Sequence, residues 1–411
     1  MIENIKFVVE NEVKPKKKNK VKENYYALSP LLILENCVGI FRFYLKNGQL
    51  TPPYWVMKLY SVILAASFLT AFGLLLRLPA AITGQESLID FIDEVPSFFI
   101  LFQYATTMLT TSFFLSSPNM DIIKKISELD EQLIKTNEGD FYKKDRNRNI
   151  KYVLCLCFSQ IFITIIYMVT TKEFDPDLTI LFPVYFTQRL EILVFCVLIG
   201  MVKRRLTIIN GYIAKFLEEN ESNMTTVFTV SDRTEALNEM NMIGRPSESN
   251  MKIRDLAMIY DKLGTICSLV NNVNNFQIFM TLVSTFVYIV TTIWTSLYYY
   301  KSPENNSGPL VNVSIWCFTT ILVVAVMSFV CESLCVVRNR TKILVNQIIM
   351  DYGLPKTMRV QAKAFMELIE AWPLRIFIYD MFSVDITLML KFISVATTYL
   401  IVIIQVSHFS N

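Results

Sequence analysis

A single histidine, His408, is present in 411 residues. Histidine is the commonest general base and metal ligand near neutral pH. A hydrolase triad and a His-rich metal site are therefore unavailable, and neither an enzyme nor a cofactor is expected. The eight cysteines are Cys37, Cys155, Cys157, Cys196, Cys267, Cys317, Cys331 and Cys335. They read as small buried hydrophobes, not as a disulfide framework. Cys155 and Cys157 stand two apart on a helix and point to different faces, which opposes a metal pair. No GxxxxGK[ST] phosphate loop is present, and nothing matches a nucleic-acid module.

The polar residues with chemical promise lie inside apolar runs. Gln188, Arg189 and Glu191 are the foremost, because ionisable groups in a membrane span are costly and often functional. Arg189 and Glu191 can equally pair with each other or with other helices for structure. Phe102, Gln103, Tyr167, Tyr185, Trp294 and Trp316 join them as a candidate ligand pocket. Aromatics with a few polar groups line small-molecule sites; they also form the interfacial belt of any membrane protein. In the last apolar run Thr398, Ile401, Val402 and Gln405 recur at spacings of 3, 1 and 3, one helical face. Copies of that face around an axis would make an apolar constriction beside a ring of neutral amides. The other reading of Gln405 is a hydrogen bond to a neighbouring helix.

The elements that must position these residues are membrane helices. Hydrophobic residues make up 53% of the chain and charged ones 18%, against about 45–50% and about 25% in soluble proteins. The apolar excess falls into seven spans: 55–76, 95–116, 152–171, 178–201, 276–300, 312–337 and 384–406. Each approaches the roughly 20 residues that cross a bilayer at about 1.5 Å per residue. The expected fold class is all-α, polytopic, with seven transmembrane helices.

Orientation follows from the Lys/Arg distribution. The tail and loops on the N-terminal side carry 33, and the opposite loops carry Arg77, Lys172 and Lys301. The N-terminus is therefore expected in the cytoplasm and, with an odd span count, the C-terminus outside. This is the reverse of a G-protein-coupled receptor, and the Asp-Arg-Tyr and Asn-Pro-x-x-Tyr motifs are also missing. Two N-glycosylation sequons, at Asn305 and Asn312, flank the third outer loop.

The expected organisation runs as follows. Residues 1–54 form a cytoplasmic tail, with an interfacial helix over 29–46. Residues 55–201 hold four spans. Residues 202–275 are a cytoplasmic linker and helical extension, whose stripe Leu256, Tyr260, Leu263, Cys267 and Val270 has coiled-coil spacing. Residues 276–406 hold the last three spans, with a cytoplasmic helical segment over 338–381. Residues 407–411 are an outer tail. The basic run KPKKKNK near the N-terminus can touch anionic lipid or simply be a solvated tail.

The last span carries the most specific pattern. Thr398-Tyr399 is followed by five apolar residues and then Gln405-Val406. This resembles the insect gustatory receptor signature of Thr-Tyr, five apolar residues and Gln-Phe; Val406 stands where the signature has Phe. The approach Met381-Phe382-Ser383-Val384-Asp385 and the early Leu28-Ser29-Pro30-Leu31 are also similar to that family. The resemblance implies a tastant-gated, non-selective cation channel of four subunits, homomeric or mixed with related receptors. It implies a pore lined by the last helix, with Thr398, Ile401, Val402, Gln405 and Val406 at the gate and Tyr399 positioning the helix. It further implies a tastant pocket in the outer helix bundle and a place in the plasma membrane of a chemosensory neuron. A plant bitter compound and a sugar are both open as ligand. An odorant receptor of the same inverted architecture is the alternative; the Thr-Tyr…Gln pattern favours the taste branch.

Overall fold

The computed structural model describes residues 19–83, 88–134, 138–171, 176–227, 248–301 and 307–409. Helix α1 is Lys20–Cys37. The Asn19 side chain caps it by accepting from Val21 N at 3.0 Å and donates from Nδ2 to Gly48 O at 2.9 Å. The helix expected over 29–46 thus starts earlier and stops at residue 37. Gly39 explains the stop: its φ of 86° suits glycine, and a Cβ there would meet Met108 Cε at 2.6 Å. A hairpin follows, β1 (Tyr44–Lys46) and β2 (Gln49–Thr51). Its turn, Asn47-Gly48, has φ of 51° and 79°, the positive pair that a two-residue hairpin turn demands.

The long helices come next: α2 (Trp55–Thr83), α3 (Leu88–Phe113), α4 (Ser116–Leu133), α5 (Glu138–Thr171), α6 (Pro176–Val227), α7 (Glu248–Lys301) and α8 (Ser307–Met350). The short α9 (Lys356–Ala371), a small hairpin β3 (Phe377–Ile378) with β4 (Phe382–Ser383), and α10 (Ile386–Phe409) complete the described chain. The expected spans fall in α2, α3, α5, α6, α7, α8 and α10. By length and hydropathy, four described stretches are long and apolar enough to cross a bilayer: Trp55–Leu74, Gly139–Thr170, Ile253–Thr291 and Ile315–Met350. The bent pair α3–α4, which turns by 65°, supplies a fifth.

Burial sorts these helices. The apolar window in α5 is only 6% buried, whereas that in α7 is 56% buried. Leu154, Phe158, Ile161, Ile165 and Val169 of α5 are exposed, the pattern of a helix facing lipid. Helix α7 is instead central and touches α3, α4, α6, α8, α9 and α10. Its stripe Tyr260, Leu263, Cys267 and Val270 is buried within this one chain, with the Tyr260 ring 5.7 Å from that of Phe365.

A buried ion pair ties the first helices together. Arg205 on α6 donates to both oxygens of Asp130 on α4, at 2.8 and 2.6 Å. Asn24 of α1 and Tyr142 of α5 also donate to Asp130, each at 2.9 Å. Forked guanidinium–carboxylate geometry of this kind fixes orientation as well as charge.

The cytoplasmic segment expected to be helical over 338–381 leaves the helix after Ala371. Helix α9 ends at Ala371 because Pro373 follows two residues later and pushes Trp372 out of the helical region. The connector then lies along α7. Tyr260 donates to Trp372 O at 2.9 Å, and Trp372 Nε1 donates to Asp261 at 2.8 Å. Phe377 N and Tyr379 N donate to the side chains of Asn271 and Asn275 at 3.1 and 3.0 Å. Asp385 caps α10 by accepting from Thr387 N and Leu388 N.

Candidate functional site

Polar side chains in an apolar bundle must find partners inside it. Those of α3, α6 and α7 find one another. Gln103 Nε2 on α3 donates to Thr281 Oγ1 on α7 at 2.9 Å. Gln188 Nε2 on α6 donates to Gln103 Oε1 at 3.0 Å and to Ser284 Oγ at 2.9 Å. Thr107 Oγ1 donates to Gln277 Oε1 at 2.5 Å. Ile100, Gln103, Tyr104, Thr107, Val184, Thr187, Gln188 and Gln277 enclose a cavity of about 10 Å³, close to the room one water needs.

An aromatic layer packs beside this amide cluster. The Tyr185 ring lies 4.6 Å from Trp316 and 6.5 Å from Tyr288. Phe182 bridges Trp316 at 5.7 Å and Tyr167 at 6.1 Å. The Arg189 guanidinium stands 5.4 Å from the Trp316 ring centre, within cation–π range. It donates to Gln160 at 2.8 Å and to Thr319 at 3.1 Å, two neutral acceptors.

Of the residues expected in a ligand pocket, the structure brings together Gln103, Gln188, Tyr185, Tyr167, Arg189 and Trp316. Phe102 is exposed on the outside of α3, although its neighbour Gln103 is buried. Glu191 does not pair with Arg189. It is held by Arg42 Nη2 at 2.5 Å, in a separate cluster with Glu35. The Trp294 side chain and Asn305 lie outside the described residues, as does the side chain of Asn312 at the start of α8. Sequence reading passed over Gln277, Thr281 and Ser284. Their spacings of 4 and 3 place them on one face of an otherwise apolar helix, which is the pattern that reveals them.

The last helix presents a different surface. Thr398 donates to Ser394 O of its own helix at 2.9 Å. The Tyr399 ring meets Phe286 of α7 edge-on at 5.5 Å. Ile401, Val402 and Gln405 are exposed on the single chain; the Val406 side chain lies outside the described residues.

A helical membrane bundle with a polar, aromatic-lined interior is the class of protein these features define. The model of the 7tm Chemosensory receptor family matches residues 28–408. The chain belongs to that family of multi-pass membrane receptors. Its fold is similar to the insect olfactory receptor OR5 from Machilis hrabei in complex with eugenol, at 12% identity and a TM-score of 0.61, covering 95% of this chain and 100% of that one. A second structure of the insect olfactory receptor OR5 from Machilis hrabei is similar at 11% identity, with the same TM-score and coverage. Among curated proteins, none matches the sequence.

Proposed function

We propose that this chain is one subunit of a tastant-gated, non-selective cation channel whose pore is lined by α10. One observation carries the reading: Ile401, Val402 and Gln405 share one face of an apolar helix that is exposed on the single chain. A free amide facing hydrocarbon is costly. Four α10 helices around an axis would place each Gln405 at a water-filled path, with Ile401 and Val402 as a constriction that closes by dewetting. Thr398 lies on the same face, and Val406 ends it. Tyr399, packed on Phe286, holds the helix against α7.

The amide cluster of Gln103 and Gln188, with the layer around Tyr185, Arg189 and Trp316, is the binding region in this reading. Its amides and aromatic rings are the groups that would recognise a ring-bodied, hydrogen-bonding ligand, and the helices must part to admit one, since the cavity there is about 10 Å³. The Lys/Arg bias supports a cytoplasmic N-terminus, and membership of the chemosensory family supports a place in the plasma membrane of a chemosensory neuron. That bias places Asn305 and Asn312 outside, where they would carry glycan.

Recording currents from the full chain expressed in cells tests the reading. Ile401→Ser is expected to raise ligand-independent leak, and Gln405→Glu to bring divalent block. Surface-expressed variants with unchanged permeation would refute it. An odorant-gated channel is the second reading, favoured by the likeness to an olfactory receptor whose structure holds eugenol. Bitter compounds and sugars tested beside eugenol separate the two.

A further inference from the structure

The Glu35–Arg42–Glu191 cluster holds more negative charge than its one cation balances. Arg42, in the loop after α1, donates from Nε to Glu35 Oε1 at 2.8 Å and from Nη2 to Glu191 Oε2 at 2.5 Å. Its Nη1 donates to Asn119 of α4 at 3.3 Å. All three ionisable residues are at most 4% exposed. Each glutamate thus gives one oxygen to the guanidinium. The remaining two, Glu35 Oε2 and Glu191 Oε1, are buried without a hydrogen-bond partner among the described residues. Fully ionised, the cluster would carry a net charge of −1 away from water, which is strongly disfavoured.

We propose that this cluster is a proton-binding site, with one proton shared between Glu35 and Glu191, and that the proton locks α1 and its following loop onto α6. The shared proton makes the cluster neutral. It also turns one orphan acceptor into a donor for the other, so a single atom relieves both the charge and the missing hydrogen bonds. One guanidinium brings the two carboxyls together, Arg42 Nε holding Glu35 at 2.8 Å and Nη2 holding Glu191 at 2.5 Å. Burial first, then the Glu191 carboxylate, push Glu35 up to about 8, against the pull of Arg42. The charged groups acting on Glu35 are Arg42 and Glu191, and α4 adds the neutral Asn119.

The sign of the pH effect follows from linkage. The folded chain keeps a proton that the unfolded chain releases near its ordinary value of 4.5. Stability contributed by the cluster is complete below that value, declines as pH rises through about 8, and is flat above it.

The test uses the full chain in lipid nanodiscs. The wild-type unfolding midpoint is expected to fall by a few degrees between about pH 5 and about pH 9 relative to Glu35→Gln. In that variant the amide N–H₂ replaces the shared proton as donor, so the cluster's contribution stays flat. Infrared difference spectra should show a protonated carboxyl C=O band near neutral pH in the wild type that E35Q lacks. Parallel pH profiles for the two chains, or no such band in the wild type, would overturn the proposal. So would recovery of alkaline stability by sodium, which would make the cluster a cation site. If E35Q does not fold, Glu191→Gln makes the same comparison.

Discussion

At Gly264 a single missing carbon permits a contact between two elements. A Cβ there would stand 2.5 Å from Cγ of Trp372, the residue that begins the connector to α10. The ring sits against the α7 backbone and is held by Asp261. Gly264→Ala must displace it, so overpacking is expected to cost about 1–3 kcal/mol, measured as a lower unfolding midpoint of the solubilised chain. An unchanged midpoint would show that the ring has room to move. Residue-level features were unevenly legible in the sequence. Gln103, Gln188 and Arg189 stood out because polar groups are rare in apolar runs. The pairing of Arg42 with Glu191 did not, because 149 positions separate them and no periodicity links a loop to a helix. Asn47-Gly48 carried a hairpin signal that the apolar run around it concealed.

Among the elements, α7 has two working faces. Gln277, Thr281 and Ser284 meet the amide cluster of α3 and α6. Asn275, Phe279 and Phe286 meet the connector and α10. Each residue of one set stands two positions from a residue of the other, which is about 200° around a helix of 3.6 residues per turn. In the proposed reading, a ligand that turns α7 at the first face moves the root of α10 at the second. Asn275→Leu removes the acceptor for Tyr379 N–H. Loss of one such bond is expected to change ligand-independent current by about two- to tenfold, and Asn275→Asp, which keeps an acceptor, should restore it. Wild-type currents from surface-expressed N275L would detach this bond from gating. The spans were legible because hydropathy over about 20 residues is a strong pattern. The 65° bend between α3 and α4 was not. Pro118 in the first turn of α4 marks where the new helix starts after Phe114 and Leu115, but a proline there fixes the start and not the angle to the helix before it.

For the whole molecule, the distribution of basic residues and the exposed face of α10 both concern what surrounds the chain. Intact cells carrying tags at each end should stain only for the C-terminal tag, and staining of the N-terminal one would reverse the orientation. Purified protein should show fourfold symmetry in projection images, since one α10 cannot enclose a path for ions. A conducting monomer would contradict that assembly. The sequence could not show which apolar surfaces meet lipid and which meet a sister chain. Both environments reward the same side chains: Phe158 of α5 and Ile401 of α10 are apolar and exposed alike on the single chain.

The connector is fastened to α7 through its own main-chain amides, at Phe377 and Tyr379, while α7 supplies the side chains of Asn271 and Asn275. Every residue but proline brings such an amide. These two anchors therefore survive a change of side chain at Phe377 or Tyr379, whereas the anchor at Trp372, whose ring donates to Asp261, does not survive loss of its indole. At these two points the specificity of the fastening thus lies in α7, in Asn271 and Asn275, and not in the residues that they grip.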